Sequence, residues 1–205
     1  LSVYLIDSFA EDMLYNLFTD GFISIDCGGS DWTADDTNIT WIPDTNYTVF
    51  GNIATVKVDT ARPYDTLRYF PDTTIERTCI ILNTIANSTY LLRAGFLYGN
   101  YDAKYNNSTS ELPKFSLLLD ATDWTNVTFT SINETVLHEM IYLATHDTAS
   151  ICVARSDKFD PFISSLELRK LPANAASFYS PVANNYLMKT NSRVDFGEST
   201  GKEIR

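Results

Sequence analysis

The segment YLLRAGFLYGNYD, Tyr90–Asp102, has the pattern around which the predicted fold is organised. Apolar residues recur at every second position of its first nine residues, which is typical of a half-buried β-strand. Gly99 and Asn100 then favour a turn. The segment therefore predicts a core strand that runs directly into a loop, where two exposed tyrosines, Tyr98 and Tyr101, would form a binding surface.

The composition outside this segment favours a β-rich domain and excludes two classes of partner. The chain has 205 residues, enough for one domain or for one domain and part of another. Thr, Ser and Asn supply most of the polarity, which suits strands and turns. The net charge of −11 argues against nucleic acid and anionic membrane surfaces as partners, because both bind basic faces. No apolar run approaches the length of a membrane span.

Asparagine indicates the cellular compartment. The chain contains seven Asn-X-Ser/Thr sequons, whereas roughly three would be expected by chance from its Asn, Ser and Thr content. The excess predicts a secreted, N-glycosylated surface. The sequon asparagines are Asn38, Asn46, Asn87, Asn106, Asn107, Asn126 and Asn133. Because Asn106 and Asn107 are adjacent, we expect only one of them to carry a glycan.

The three cysteines, Cys27, Cys79 and Cys152, fit a secreted protein. They allow one disulfide and one remaining thiol, and their number alone does not decide which two residues pair. They form no Cys-X-X-Cys pair and have no histidine at ligand spacing, so the sequence predicts no metal site.

Short strands separated by turn residues fill most of the chain after residue 20 and predict an all-β fold, a β-sandwich or jelly roll. Predicted strands cover residues 21–29, where a glycine turn closes the strand, and residues 39–42, 53–58, 78–82, 90–98, 115–120, 124–130, 136–142, 150–154 and 162–171, the last with a phase slip. Residues 59–72 are predicted to be a loop because they contain Pro63 and Pro71.

The two ends of the chain differ from this strand-rich part. Residues 1–20 have apolar residues near helical spacing and are predicted to be an N-terminal extension of uncertain, short-helical structure and unknown role. Residues 21–172 are predicted to be the first domain. Residues 173–205 would be a linker, with the first strand of a further domain at residues 194–197.

Catalytic signatures are absent from the sequence. There is no glycine-rich phosphate loop and no nucleophile elbow. His138 and Glu139 begin like a zinc-protease motif, but Tyr142 stands where the second histidine would be. Cys152 fits a strand or a disulfide better than a nucleophile. The segment is therefore predicted to be no enzyme and to need no cofactor.

Aromatic residues are the remaining candidates for function. The phenylalanines within strand patterns, Phe22, Phe96, Phe115, Phe129 and Phe162, are predicted to be core. A second group lies in or beside loops and comprises Trp32, Trp41, Tyr47, Tyr98, Tyr101 and Tyr105. Loop aromatics beside acidic residues suit carbohydrate binding, and they equally suit a protein interface. The third interpretation is that these rings pack back onto the edge of the sheet.

Six segments in series give a family resemblance. They are GFISIDCGG (21–29), YLLRAGFLYGNYDA (90–103), FSLLLDATDW (115–124), SICVARSD (150–157), PFISSLELRKL (161–171) and RVDFGES (193–199). Together they resemble the malectin-like domain of plant leucine-rich-repeat receptor-like kinases over roughly residues 21–205. The last segment resembles the opening strand of the second malectin module in that family.

The resemblance implies a malectin-like jelly-roll or β-sandwich fold, with the first module at 21–172. It implies an extracellular region of two such modules, followed by leucine-rich repeats, one membrane span and a cytoplasmic Ser/Thr kinase. This segment would lie on the outer side of the plasma membrane, without direct membrane contact. In this family the positions of Cys79 and Cys152 tend to carry cysteines together, which implies their disulfide and leaves Cys27 free.

The resemblance also implies a function of ligand recognition without catalysis. Animal malectin binds glucose disaccharides through loop aromatics and an aspartate, and Tyr98, Tyr101 and Asp102 occupy the matching loop. A cell-wall oligosaccharide is therefore the first expected ligand. The alternative is a secreted peptide or co-receptor protein, bound by a module that assembles receptors and has no affinity for carbohydrate.

Overall fold

A computed structural model describes residues 21–106, 111–156, 158–173 and 188–191. The regular secondary structure of these residues consists of strands joined by turns and loops, with one short 3₁₀ helix at Asp44–Asn46. The strands are β1 (Phe22–Asp26), β2 (Trp32–Thr33), β3 (Thr40–Pro43), β4 (Asn52–Thr55), β5 (Thr66–Tyr69), β6 (Arg77–Asn83), β7 (Thr89–Leu97), β8 (Lys114–Leu119), β9 (Thr122–Thr128), β10 (Thr135–Leu143), β11 (Thr148–Arg155), β12 (Phe162–Ile163), β13 (Ser165–Lys170) and β14 (Met188–Lys189). The predicted all-β fold is confirmed.

The strands form three sheets. A seven-stranded sheet has the order β14-β10-β7-β13-β1-β3-β2, a four-stranded sheet the order β6-β11-β8-β9, and a three-stranded sheet the order β12-β5-β4. Apolar side chains from all three sheets form one buried core. Phe96 of the first sheet and Phe115 of the second meet edge to face, with ring centroids 5.7 Å apart. Phe162 of the third sheet lies 5.2 Å from Phe115, so the three sheets share one aromatic centre.

Strand β7 lies inside the seven-stranded sheet and is buried on both faces, so the prediction of a half-buried strand is wrong. One face packs into the sandwich core through residues such as Leu92 and Phe96. On the opposite face Arg93 is directly opposite Glu139 of β10 and Glu167 of β13. The guanidinium lies 2.7 Å from a Glu139 oxygen and 3.3 Å from a Glu167 oxygen. This buried ion cluster allows a charged residue to occupy a central strand.

Two further predictions need correction. Residues 59–72 are not a continuous loop, because β5 lies between the two prolines and pairs with β4. Its Arg68 is held by Asp44, whose two carboxylate oxygens accept hydrogen bonds of 2.5 and 2.7 Å from the guanidinium.

Phe22 is not in the core: it is 51% exposed, and the Arg169 guanidinium lies 3.7 Å from its ring centroid. Alternation alone does not show which face of a strand is covered.

The predicted phase slip at residues 162–171 marks a change of sheet. Phe162–Ile163 pairs with β5, whereas Ser165–Lys170 pairs with β7 and β1. Between them, the Ser164 N–H donates to the Gly95 carbonyl at 3.0 Å. One continuous segment, residues 162–170, therefore joins the third sheet to the first.

A disulfide joins Cys79 of β6 to Cys152 of β11, which is the pairing that the family resemblance implies. The two residues lie directly opposite each other in the ladder. Cys27 is a free, buried thiol. No helix among the described residues has the length and hydrophobicity needed to cross a membrane.

The predicted N-terminal extension lies outside the described residues, as do most of residues 173–205 and the strand predicted at 194–197. Within the predicted linker, Met188–Lys189 pairs with β10 and extends the seven-stranded sheet. The domain boundary itself stays a prediction.

Candidate functional site

The loop that follows β7 contains the three residues predicted to bind a ligand, Tyr98, Tyr101 and Asp102. The sequence predicts that the Tyr98 ring is exposed on this loop. Its side chain is 0% exposed, so the expectation of an exposed ring is wrong. The Tyr98 hydroxyl donates to an Asp102 carboxylate oxygen at 2.6 Å and lies 3.2 Å from the Asn100 side-chain oxygen. Burial, together with the nearby Asp102 carboxylate, raises the pKa of Tyr98 above its ordinary value. Tyr98 is therefore an internal support for the loop.

Tyr101 is half-buried against the aromatic centre. Its ring centroid lies 5.1 Å from that of Tyr69, 5.7 Å from that of Phe162 and 5.8 Å from that of Tyr98. Its hydroxyl is buried and has no hydrogen-bond partner among the described residues. Burial is the main reason that the pKa of Tyr101 lies above its ordinary value. Only part of this ring is available to a ligand.

A chain of charges runs from Asp102 along the surface of the loop. The Lys104 ammonium lies 3.4 Å from an Asp102 oxygen and 3.2 Å from an Asp160 oxygen. Asp160 also pairs with Arg155 at 2.9 Å. The Asp102 oxygen that faces Lys104 is Oδ2, which is buried and receives no hydrogen bond from a described residue besides this ion pair. The polar groups of this loop are thus bound mainly to one another.

The backbone fixes the loop in this closed arrangement. Gly99 has φ of +52°, and a Cβ at this position would lie 2.2 Å from a Val56 methyl carbon, so only glycine fits. The Gly99 N–H donates to the Ile132 carbonyl at 2.7 Å. Asn100 accepts a hydrogen bond from the Tyr105 N–H at 3.0 Å and donates to the Tyr105 carbonyl at 3.1 Å. The loop is packed onto the protein and does not present two tyrosine faces side by side.

Asp26 is a buried carboxyl group that the sequence did not single out. It accepts hydrogen bonds from the Trp32 indole at 2.8 Å and from the Thr66 hydroxyl at 3.1 Å. Burial raises its pKa to about 6, although both hydrogen bonds and the nearby Arg62 act in the opposite direction. Trp32 stacks on Trp41 with a centroid separation of 5.7 Å, and the Arg62 guanidinium lies 5.0 Å from the Trp32 ring centroid. These contacts bind three segments together and engage the half-buried Trp32 ring within the protein.

Six of the seven sequon asparagines are exposed: Asn38, Asn46, Asn87, Asn106, Asn126 and Asn133. Asn107 lies outside the described residues. The described residues contain no cluster of His, Cys, Asp and Glu side chains arranged to hold a metal ion.

Comparison with known proteins gives one family. The family model for the malectin-like domain matches residues 25–205. A probable LRR receptor-like serine/threonine-protein kinase of Arabidopsis thaliana is 36% identical over 184 residues, which cover 86% of this chain and 19% of the relative. The LRR receptor-like kinase IOS1 of the same plant is 38% identical over 158 residues, which cover 74% of this chain and 17% of the relative. The chain thus spans about a fifth of the length of these relatives, and the family match is to a malectin-like domain rather than to their kinase.

Solved structures give the same fold. The extracellular domain of ANXUR2 from Arabidopsis thaliana superposes with a TM-score of 0.59 at 20% identity, over 74% of this chain and 41% of that chain. A structure of the plant peptide RALF23 in complex with FER and LLG2 superposes with a TM-score of 0.55 at 16% identity, over 74% and 40% of the two chains. At these identities the likeness shows the fold alone.

Proposed function

The chain belongs to the malectin-like domain family, and on that premise we propose that it is an extracellular, non-catalytic module of a plant LRR receptor-like kinase that recognises a peptide or protein partner. The family implies the extracellular location, because the solved structures of this fold are extracellular regions of receptor kinases. The exposed sequon asparagines support it, since N-glycans are added in the secretory pathway.

We choose a peptide or protein as the ligand because the loop that follows β7, residues 98–105 and here called the tyrosine loop, is closed. Carbohydrate recognition by aromatic stacking needs an exposed ring face, and Tyr98 is 0% exposed. A peptide or protein partner does not depend on such a platform, because main-chain hydrogen bonds and apolar contacts supply its affinity. One protein of the same fold, FER, is seen with the peptide RALF23 and the protein LLG2.

Carbohydrate binding is the second candidate, and one feature favours it. The Tyr101 hydroxyl is a buried polar atom without a hydrogen-bond partner among the described residues, and Asp102 Oδ2 receives no hydrogen bond although the Lys104 ammonium lies 3.4 Å away. Such atoms can receive hydrogen bonds from the hydroxyls of a small ligand. In this candidate Tyr101 and Asp102 contact the sugar, and Tyr98 only positions Asp102.

Two binding experiments separate the candidates. The chain would be secreted from a eukaryotic host with its disulfide and glycans, and calorimetry would be run with cellulose-, pectin- and glucan-derived oligosaccharides. In parallel it would be used to select peptides from a displayed random library. We expect selected peptides and no oligosaccharide binding. Oligosaccharide binding that Tyr101→Ala abolishes, without selected peptides, would replace the proposed function by the second candidate.

The same preparation tests glycosylation. We propose that Asn38, Asn46, Asn87, Asn126, Asn133 and one of Asn106 and Asn107 carry N-glycans. Mass spectrometry after enzymatic deglycosylation in heavy-oxygen water should convert each of these asparagines to labelled aspartate. Unlabelled asparagine at most of the positions would contradict the proposal.

A further inference from the structure

The four-stranded sheet leaves the outer edge of β6 unpaired. Among the described residues, only β11 lies beside it. The flanking hydrogen bonds fix the pattern: the Arg155 N–H donates to the Glu76 carbonyl at 3.1 Å, and the Thr84 N–H donates to the Asp147 carbonyl at 2.8 Å. Because bonded pairs alternate in an antiparallel ladder, the even-numbered residues of β6 bond to β11. The main-chain groups that point outward are those of Arg77, Cys79, Ile81 and Asn83.

The side chains along this edge are largely apolar. Ile81 is 51% exposed, and Ile85 and Ile75 are 39% and 37% exposed. The strand sequence RTCIILN contains one charge and no proline. A long edge with exposed isoleucines and free main-chain groups is the arrangement to which another strand adds most readily.

The opposite edge of the same sheet is protected. Strand β9 has a register irregularity where it pairs with β8 at Leu117 and Leu118. It carries the exposed sequon asparagine Asn126. The Lys189 ammonium of β14 donates to the Thr125 hydroxyl at 2.8 Å. Bulges, bulky groups and covering side chains are the usual means of blocking an edge, and among the described residues β6 itself has no register irregularity and carries no sequon.

A cavity adjoins the Arg77 end of the β6 edge. It has a volume of about 640 Å³ and is lined by Thr73, Ile75, Glu76, Arg77, Ala154 and Arg155, so one carboxylate and two guanidinium groups border it. The two terminal nitrogens of the Arg155 guanidinium donate hydrogen bonds to Asp160 and to the carbonyls of Phe159 and Phe70. Its Nε is buried and has no partner among the described residues. A carboxylate placed beside Arg77 in this cavity would form a charge-assisted ion pair with its guanidinium.

We propose that the β6 edge binds an extended peptide segment of the partner, which adds to the sheet as a fifth strand and places an acidic side chain near Arg77 and Arg155. This inference rests on the proposed function and gives it a site. A second copy of the chain fits less well, because each copy carries a net charge of −11. A glycan at the sequon of Asn87, just beyond the strand, would also crowd a second copy of the whole domain.

The test uses the secreted chain and a displayed library of random twelve-residue peptides. We expect the selected peptides to alternate apolar residues and to carry Asp or Glu near one end. Ile81→Lys and Ile81→Pro should weaken their binding at least tenfold, the first by placing a charge on the edge and the second by removing an outward N–H. The matched control is Ile53→Lys, because Ile53 is 52% exposed on β4, an edge strand of only four residues, and this variant should bind normally.

Hydrogen exchange gives a readout that does not rely on substitutions. In the free chain the amides of Cys79 and Ile81 should exchange much faster than those of Ile80 and Leu82, and a selected peptide should slow them at least tenfold. Peptides that bind both Ile81 variants normally would overturn the β6 site while the proposed function stands. Failure to select any peptide would overturn both. Self-association that Ile81→Lys abolishes, without selected peptides, would replace the peptide by a second copy.

Discussion

The tyrosine loop (residues 98–105) and the β6 edge differ in opposite ways from what their sequences indicate. The loop has the residues of a binding site but is closed, and β6 has the residues of a core strand but lies at an edge. The loop carries aromatic, acidic and amide groups, as binding sites do, yet Tyr98 is 0% exposed and its hydroxyl is used within the loop. The β6 segment RTCIILN has the composition of a core strand, yet Ile81 is 51% exposed at an unpaired edge. Residue type shows what a group can bind, whereas only its neighbours show whether that capacity is already used.

The largest loss of stability should come from removing the buried side chain of Tyr98. Tyr98→Ala removes a fully buried ring and should lower the free energy of unfolding by about 3–5 kcal/mol. Tyr98→Phe loses only the hydrogen bond to Asp102 and should cost about 1 kcal/mol. Urea unfolding measures both. Tyr101→Ala is the control, since that ring is only half-buried and should cost less. A Tyr98→Ala chain as stable as the wild type would break the comparison.

The disulfide behind the β6 edge should give the next largest effect. Its two cysteines are 73 residues apart. Closing so long a loop lowers the conformational entropy of the unfolded chain, which stabilises the folded state by ~4 kcal/mol in the chain-entropy model. Replacing Cys79 and Cys152 together with serine should therefore lower stability by about 2–5 kcal/mol. The control is reducing agent, which should destabilise the wild type but leave the double variant unchanged. Equal stability of the two proteins would show that the edge does not depend on this bridge.

Two ionisable side chains, Asp26 and His138, should make the stability of the folded chain change with pH in opposite directions. The folded-state pKa of Asp26 is raised to about 6, above its ordinary 3.8, so the folded chain binds this proton more tightly and Asp26 lowers stability as pH rises from about 4 to 6. Burial lowers the pKa of His138 from 6.5 to about 4, so the unfolded chain takes up this proton first and His138 lowers stability as pH falls from about 6.5 to 4.

Single substitutions should separate these two contributions. Asp26→Asn should leave a chain that loses stability on acidification, and His138→Gln should leave one that gains it, each by up to about 1.4 kcal/mol per pH unit between pH 4 and 6. Urea unfolding across this range measures the slopes. Parallel profiles for the two variants would contradict the opposite signs. Ile81→Lys should not alter the wild-type slope, which would place the pH response in the interior rather than at the edge.

The smallest effect should come from the β6 edge itself. Ile81→Lys places a charge on a side chain that is already half in water and should change the unfolding free energy by less than about 0.5 kcal/mol. Ile80→Lys is its counterpart, because Ile80 is only 2% exposed and a lysine there should cost several times more. Equal effects at the two neighbouring positions would mean that the edge is covered after all.

Much of the fold could be predicted from periodicity. Most predicted strands agree with the structure within a few residues, because alternation and turn residues are local signals. Strand β5 was missed since its four residues lie between two prolines, and pairing with β4 rather than local pattern holds it in the sheet. The short strand β2 was missed for the same reason: its Trp32 pairs with Trp41 across a polar loop.

The sequence by itself determined the all-β class and the malectin-like family, and the resemblance to that family implied the pairing of Cys79 with Cys152. The class follows from residue types and their spacing, which need no knowledge of neighbours. The tertiary structure decided which groups already have partners. It buried Tyr98, paired Arg93 with two glutamates inside the sheet and, among the described residues, placed no strand on the outer edge of β6. The physical reason is that burial and hydrogen-bond saturation depend on segments distant in sequence, such as β10 and β13 on either side of β7.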